Sequence, residues 1–330
     1  MVGEIQNLVR FADKTIANLY LSLREERGAL LCFLFHSLFE NAQQIEQNRV
    51  DPLQRTTVAQ FREFIEYYLQ CGYRFISQSD LLNGLEAGGK YAMITFDDGY
   101  YNNSLARPVL EEYGVPALFF ISTDHIRQNR SFWWDVLYRE RIAQGAAPTE
   151  IYREGIALKM LRTRQLEEIL TNRFGPRAFV PRSDIDRPFS PSELRDFAKG
   201  PLICLGNHTA DHAILTNYSR EQIREEISGA QQWLQEQTGR PVLSIAYPNG
   251  AFNSTVLAVC GELGIKAGFT VQPTKNLLPL KESSMLQLSR FAPHHAESIR
   301  SQCRTYRSDV LIYNTFREAY LRLAGRRLMH

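Results

Sequence analysis

"YAMITFDDGYYNNSLARPVLEEYGVPALFFIS", residues 91–122, decides the fold. Its opening apolar run reads as a strand that ends on two consecutive carboxylates, Asp97 and Asp98, before a turn at Gly99. A helix follows, closed by Gly114, and then a second apolar strand at 117–121. "TVAQFREFIEYYLQCGYRFIS" (57–77) repeats this order, with Phe61, Ile65 and Leu69 on one stripe of a helix that Gly72 ends. Alternating strands and helices predict a parallel sheet covered by helices, open or closed into a barrel, and periodicity alone does not choose between them. Functional side chains in such folds gather at the C-terminal ends of the strands, where the acidic pair stands.

Working outward, residues 4–25 carry apolar positions at helical spacing and predict an accessory helix. "GALLCFLFHSLF" (28–39) then supplies the first strand, at about 29–36. Residues 131–200 break the rhythm and predict a helical insertion that opens on "SFWWD" and closes on "RPFSPSELRDFAKG". In the closing piece Ser190 caps, Pro191 takes the first helical position and Glu193 completes a capping box. Trp133 and Trp134 either anchor the insertion or line a site. The rhythm resumes with strand "LICLG", helix 219–237, strand "VLSIAYP" and helix 253–262. The expected organisation is an N-terminal accessory helix (1–28), a catalytic domain (29–298) containing the insertion, and a basic amphipathic C-terminal helix (299–330).

The bulk numbers narrow the function. A net charge of +2, from 38 basic and 36 acidic residues, argues against a nucleic-acid partner, which calls for a basic excess. Cys32, Cys71, Cys204, Cys260 and Cys303 are odd in number, widely spaced and set mostly among apolar neighbours, so they read as buried thiols rather than disulfides or a zinc site. No signal-peptide pattern or bilayer-length apolar run is seen, which gives a cytoplasmic expectation, with peripheral membrane contact through the basic tail left open.

Metal binding therefore falls to histidine and carboxylate. In "LGNHTADHAIL" (205–215), His208 and His212 are four apart just after an apolar strand, and one helical turn would set both imidazoles on the same side. Asp98 at another strand end completes a two-histidine, one-carboxylate set with open positions, the pattern of a catalytic rather than structural metal.

"TFDDG" (95–99), "HTADH" (208–212) and "AYPNG" (246–250), in this order, resemble the first three motifs of the polysaccharide deacetylases, the NodB-homology group of carbohydrate esterase family four. The resemblance runs over roughly residues 29–125 and 190–291. It implies a distorted (β/α)7-type barrel with a helical insertion and terminal helices. It also implies that Asp97 is the general base, that Asp98, His208 and His212 hold one divalent metal, and that the backbone N–H of Asn249 meets the oxyanion. Zinc is the first expectation, with cobalt or nickel as alternatives. Thr95 and Thr209 would support the ligand loops, and Gly99 and Gly250 would permit tight turns.

Two departures from the family pattern matter. Ala246 stands where the family has an arginine that pairs with the base, and Arg290 in "LSRF" is the candidate replacement. No leucine-x-histidine motif for the general acid follows position 270; His36 at the end of the first strand is the candidate, with His294 and His295 as fallbacks. His125 reads as the end of its strand. The activity expected is metal-dependent removal of an N-acetyl group from an amino sugar or glycan precursor. The alternatives are deformylation, O-deacetylation or nonsugar amide hydrolysis on the same core, and a silent sugar-binding or scaffold protein. An N-acetylated sugar is the expected partner, and oligomeric state is not legible.

Overall fold

A computed structural model describes residues 2–51, 55–294 and 297–309. In chain order its strands are β1 (Ala29–Phe35), β2 (Leu38–Phe39), β3 (Thr56–Thr57), β4 (Arg74–Phe75), β5 (Lys90–Phe96), β6 (Ala117–Ile121), β7 (Ile203–Asn207), β8 (Ser244–Ala246), β9 (Ala267–Phe269), β10 (Asn276–Leu277) and β11 (Arg290–Phe291). β1 pairs in parallel with β5 from Ala29↔Lys90 to Phe35↔Phe96, and the parallel ladder continues through β6, β7, β8 and β9. A parallel bridge, Phe269↔Leu288, then leads into β11, which pairs with β1 at Cys32↔Arg290 and Phe33↔Phe291. The path closes on itself as a distorted (β/α)7-type barrel built from β1, β5, β6, β7, β8, β9 and β11.

Period-two alternation explains both faces of this wall. Leu31, Phe33 and Phe35 of β1, with Ala92, Ile94 and Phe96 of β5, pack outward against Phe61, Phe64, Ile65 and Tyr68 of the helix Val58–Gln70. Leu30 and Cys32, with Tyr91 and Met93, belong to the opposite face, where they meet Leu118, Phe120, Ala246, Phe269 and Leu288 inside the barrel. The first face needs near-continuous apolar strands because both sides are covered. The second face carries forward in register, so His36, Thr95 and Asp97 stand on the interior side at the open end.

The insertion contributes helices Trp133–Ala143, Pro148–Leu158, Thr163–Phe174 and Pro191–Phe197, the last with the expected Ser190–Glu193 capping box. The first three share a small core of their own around Trp133, Leu137, Ile151, Leu166 and Leu170. At the opposite end, helix Ile299–Arg307 packs on Val2–Leu23 and Val58–Gln70. Arg307 of that helix pairs with Glu26, which also accepts from Lys90 at 3.1 Å. The rest of the expected C-terminal helix, from residue 310, lies outside the described residues. All five cysteines are free thiols. Among the described residues no helix is long and apolar enough to cross a membrane.

Candidate active site

The strands deliver their next residues to one cavity of about 220 Å³ at the C-terminal rim, lined by His36, Asp97, Asp98, His208, His212 and Asn249. Asp97 donates its backbone N–H to Phe35 O at 2.9 Å, so it extends the ladder and points inward in phase with Thr95. Asp98 then leaves the strand at φ 75°, followed by Gly99 at φ 93°. A side chain rarely adopts that conformation, and here it turns Asp98 out of the strand's alternation and beside its neighbour.

His208 and His212 are not joined by a helical turn, contrary to expectation. Residues 208–214 form a loop in which Thr209 (φ 65°) and His212 (φ 47°) are left-handed. Local hydrogen bonds outcompete the helix: Asn207 accepts from Thr209 N at 2.7 Å, and Thr209 Oγ1 accepts from Ala213 N at 2.8 Å. The loop still brings the imidazoles to a centroid distance of 4.8 Å.

Asp98, His208 and His212 offer one ligand atom each within 4.8 Å of one another. Both His208 Nε2 and His212 Nε2 lie 3.4 Å from Asp98 Oδ1. Both carboxylate oxygens of Asp98 are buried without a hydrogen-bond partner, a costly state for a charged group unless a cation satisfies it. His208 Nδ1 is 2.8 Å from Ala246 O, the orienting contact that leaves Nε2 turned toward the carboxylate. Donor types and orphaned oxygens thus fit a divalent metal.

Asp97 is 3% exposed and faces a different partner. Arg290 grips it in a bidentate pair, Nη1 to Oδ1 at 2.7 Å and Nη2 to Oδ2 at 2.8 Å. Thr95 Oγ1 accepts from the same Nη1 at 3.0 Å, and Thr270 O accepts from Nε at 2.9 Å. Burial alone would raise the Asp97 pKa; the Arg290 charge overrides it and holds the carboxyl below its ordinary value. Burial likewise pushes His212 well down, helped by the His208 charge, which keeps it as the neutral imidazole that binds metals. In His208 the Asp97 and Asp98 charges outweigh burial and raise the pKa, so a metal there displaces a proton.

The other expected residues fall in varied places. His36 directly follows β1, is half-buried and lines the cavity. Asn249 is exposed at φ 58°, and its Oδ1 accepts from Lys159 Nζ at 2.6 Å. His294 is absent from the cavity lining; its backbone is tied to Gln302. His295 lies outside the described residues. His125 does not end a strand: it sits within helix Thr123–Gln128, its ring stacked on Phe132. Trp133 anchors the insertion core and also lines the cavity, while Trp134 packs 4.5 Å from the His212 ring. Trp134 Nε1 donates to Tyr100 OH at 2.8 Å, and Tyr100 in turn donates to the buried Asp135 at 2.6 Å. Sequence reasoning singled out "SFWWD", which holds Trp134 and Asp135, but not their link to Tyr100 nor Lys159, because both depend on how the insertion folds back.

The polysaccharide deacetylase family model matches residues 84–268, more than half of the chain. No curated protein matches it. Among solved structures, the Streptococcus pyogenes deacetylase PplD in complex with acetate superposes with a TM-score of 0.59 at 17% identity, over 85% of this chain and 99% of that one. The Bacillus cereus polysaccharide deacetylase BC0361 gives 0.59 at 17% identity, over 85% and 69%. IcaB from Ammonifex degensii gives 0.57 at 15% identity, over 86% and 99%. At these identities the structural likeness carries the fold.

Proposed function

Because the chain belongs to the polysaccharide deacetylase family, a family of hydrolytic carbohydrate deacetylases, we propose that it removes an N-acetyl group from an amino sugar or glycan precursor in a metal-dependent reaction. The observation that carries this reading is the Asp98 carboxylate, buried with both oxygens unsatisfied between two histidines and next to an ionised Asp97. Asp98, His208 and His212 would hold the metal, zinc first, with cobalt or nickel as alternatives. When bound, the metal supplies a Lewis acid that polarises the acyl carbonyl and acidifies a water.

Asp97 takes the proton of the attacking water, and Arg290 keeps it ionised for that task. His36, on the same cavity wall, gives a proton to the leaving amine, and the backbone N–H of Asn249 donates to the developing oxyanion. The catalytic unit is residues 29–298, with the N-terminal helix and the basic C-terminal segment as accessories.

The test is acetate release from N-acetylhexosamine oligomers, nucleotide sugars and lipid-linked sugars by protein stripped with chelator and reloaded with zinc, cobalt or nickel. Asp97→Asn is expected to keep metal while turnover falls by about 10²–10⁴; normal turnover in the metal-replete variant sinks the base assignment. His208→Ala or His212→Ala should weaken metal binding, and undiminished affinity in both would overturn the ligand set.

A further inference from the structure

The cavity is only half made of the barrel. Its other half comes from the insertion, chiefly Trp133, Leu137, Ile151 and Ile156, joined by Val50. Trp133 offers a face on which a sugar ring can stack, and Ser37, Asp51, Tyr100 and Asn249 elsewhere in the lining can meet hydroxyls, but Leu137, Ile151, Ile156 and Val50 add an aliphatic surface that a sugar alone does not fill. The apolar lining also continues outward. Tyr152 and Ile156 both line the cavity and stand one turn apart on helix Pro148–Leu158, yet they remain 64% and 44% exposed.

At the end of that helix, between the apolar wall and the acidic and imidazole cluster, stands Lys159. Its amine is half-buried and donates to the neutral Asn249 Oδ1, and among the described residues no carboxylate pairs with it. Asp51 is the acidic group whose field reaches it, and burial outweighs that field and lowers the amine's pKa. An amine beside an apolar wall, in the field of Asp51 but in direct contact with no carboxylate among the described residues, can still take an anionic ligand group as its partner.

Resting on the deacetylase reading, we propose that the substrate is an N-acylated sugar joined through a phosphate to an apolar chain, with the phosphate at Lys159 and the chain along Ile151, Ile156 and Tyr152. Charge complementarity at Lys159 and continuity of the apolar wall with the reacting centre select this occupant over a neutral polysaccharide.

Four probes separate the parts: N-acetylglucosamine carrying a hexyl phosphodiester, a methyl phosphodiester, a hexyl glycoside or a methyl glycoside at its anomeric position. The metal-loaded enzyme is assayed for acetate release, and Kd for each probe is measured by calorimetry on Asp97→Asn. The hexyl phosphodiester should be best in both readouts, with a gain over its methyl counterpart of up to about fourfold for each methylene removed from water. Its gain over the hexyl glycoside should be roughly tenfold to a hundredfold and should vanish in Lys159→Gln. Ile156→Glu, at an exposed helical position, should erase the chain-length gain and leave the phosphate gain. Acetate release with equal efficiency from all four probes overturns this inference while the deacetylase reading stands, and so does a gain that persists in Lys159→Gln and Ile156→Glu. No acetate from any of the four, with acetate released from N-acetylhexosamine oligomers or nucleotide sugars, overturns this inference alone; no acetate from probes, oligomers or nucleotide sugars under any metal removes the deacetylase reading instead.

Discussion

Arg290→Met isolates the group that keeps Asp97 ionised. Methionine keeps an unbranched apolar stem between Phe120 and Phe269, whose rings lie 5.7 Å and 6.0 Å from the guanidinium carbon, but removes both bonds to Asp97. Breaking one partner from a buried pair costs ~3–5 kcal/mol at neutral pH. The pH dependence follows from the direction of the Asp97 shift. In the native chain its folded pKa is depressed, so its stabilisation is fully present above the unfolded pKa of ~3.9 and is lost as pH falls through the lower folded value. In the variant burial is opposed only by the His208 and His36 charges, so the folded pKa rises from its native position and the stabilisation present above ~3.9 shrinks. The stability gap between the two proteins should therefore be widest near neutrality and shrink on acidification. The acidic limb of kcat/KM should move to higher pH, with about tenfold lost for every unit by which the pKa passes the assay pH. Urea unfolding of metal-free protein at several pH values, with the pH–rate profile of the metal-loaded enzyme, reads both effects. An unchanged acidic limb together with wild-type stability would refute the reasoning, and Arg290→Lys, which restores charge without the fork, should recover only part of each loss.

Two further outcomes follow from packing and charge at other places in the barrel. Gly268 lies at the seam, where an added Cβ would sit 2.4 Å from Tyr247 OH and 2.6 Å from Leu286 O; Gly268→Ala should cost ~1–3 kcal/mol in urea unfolding, and a wild-type midpoint would contradict the closure. Burial alone would raise Glu26, but its bonds from Arg307, Tyr73 and Lys90 bring its pKa down to about 2 from an ordinary 4.5. Its stabilisation is thus present above 4.5 and lost as pH falls toward 2, so Glu26→Gln should flatten the acid dependence of stability in that window.

Strand positions and the grouping of both aspartates with both histidines were legible because local pattern carries them. The apolar run 117–121 matches β6 in its bounds, and the acidic pair stands where a β5 strand end puts it. β8 was read within "VLSIAYP", but its ladder to β9 and the return through Leu288 were not legible, since a run as short as Ala267–Phe269 has no period to read. The histidine loop was misread as a helical turn because spacing alone does not reveal that Asn207 and Thr209 satisfy its backbone. Arg290 could be suspected only through the missing arginine at Ala246; the Asp97 pair spans 193 positions, and no local signal marks such a distance. Trp134 and Asp135 stood in the "SFWWD" stretch and could be suspected, but their link to Tyr100, like Lys159, exists only once the insertion lies over the barrel mouth.

The shared authorship of the cavity has an evolutionary consequence. The reacting groups are fixed to strand ends, where a change of side chain disturbs the ladder or the interior core. The opposite wall stands on helices with a separate core around Leu137, Ile151, Leu166 and Leu170. Substitutions at the exposed Tyr152 and Ile156 and at Lys159 can therefore accumulate without disturbing Asp97, Asp98, His208 or Arg290. A lineage carrying this architecture is free to exchange one acylated molecule for another while its reaction chemistry stays constant.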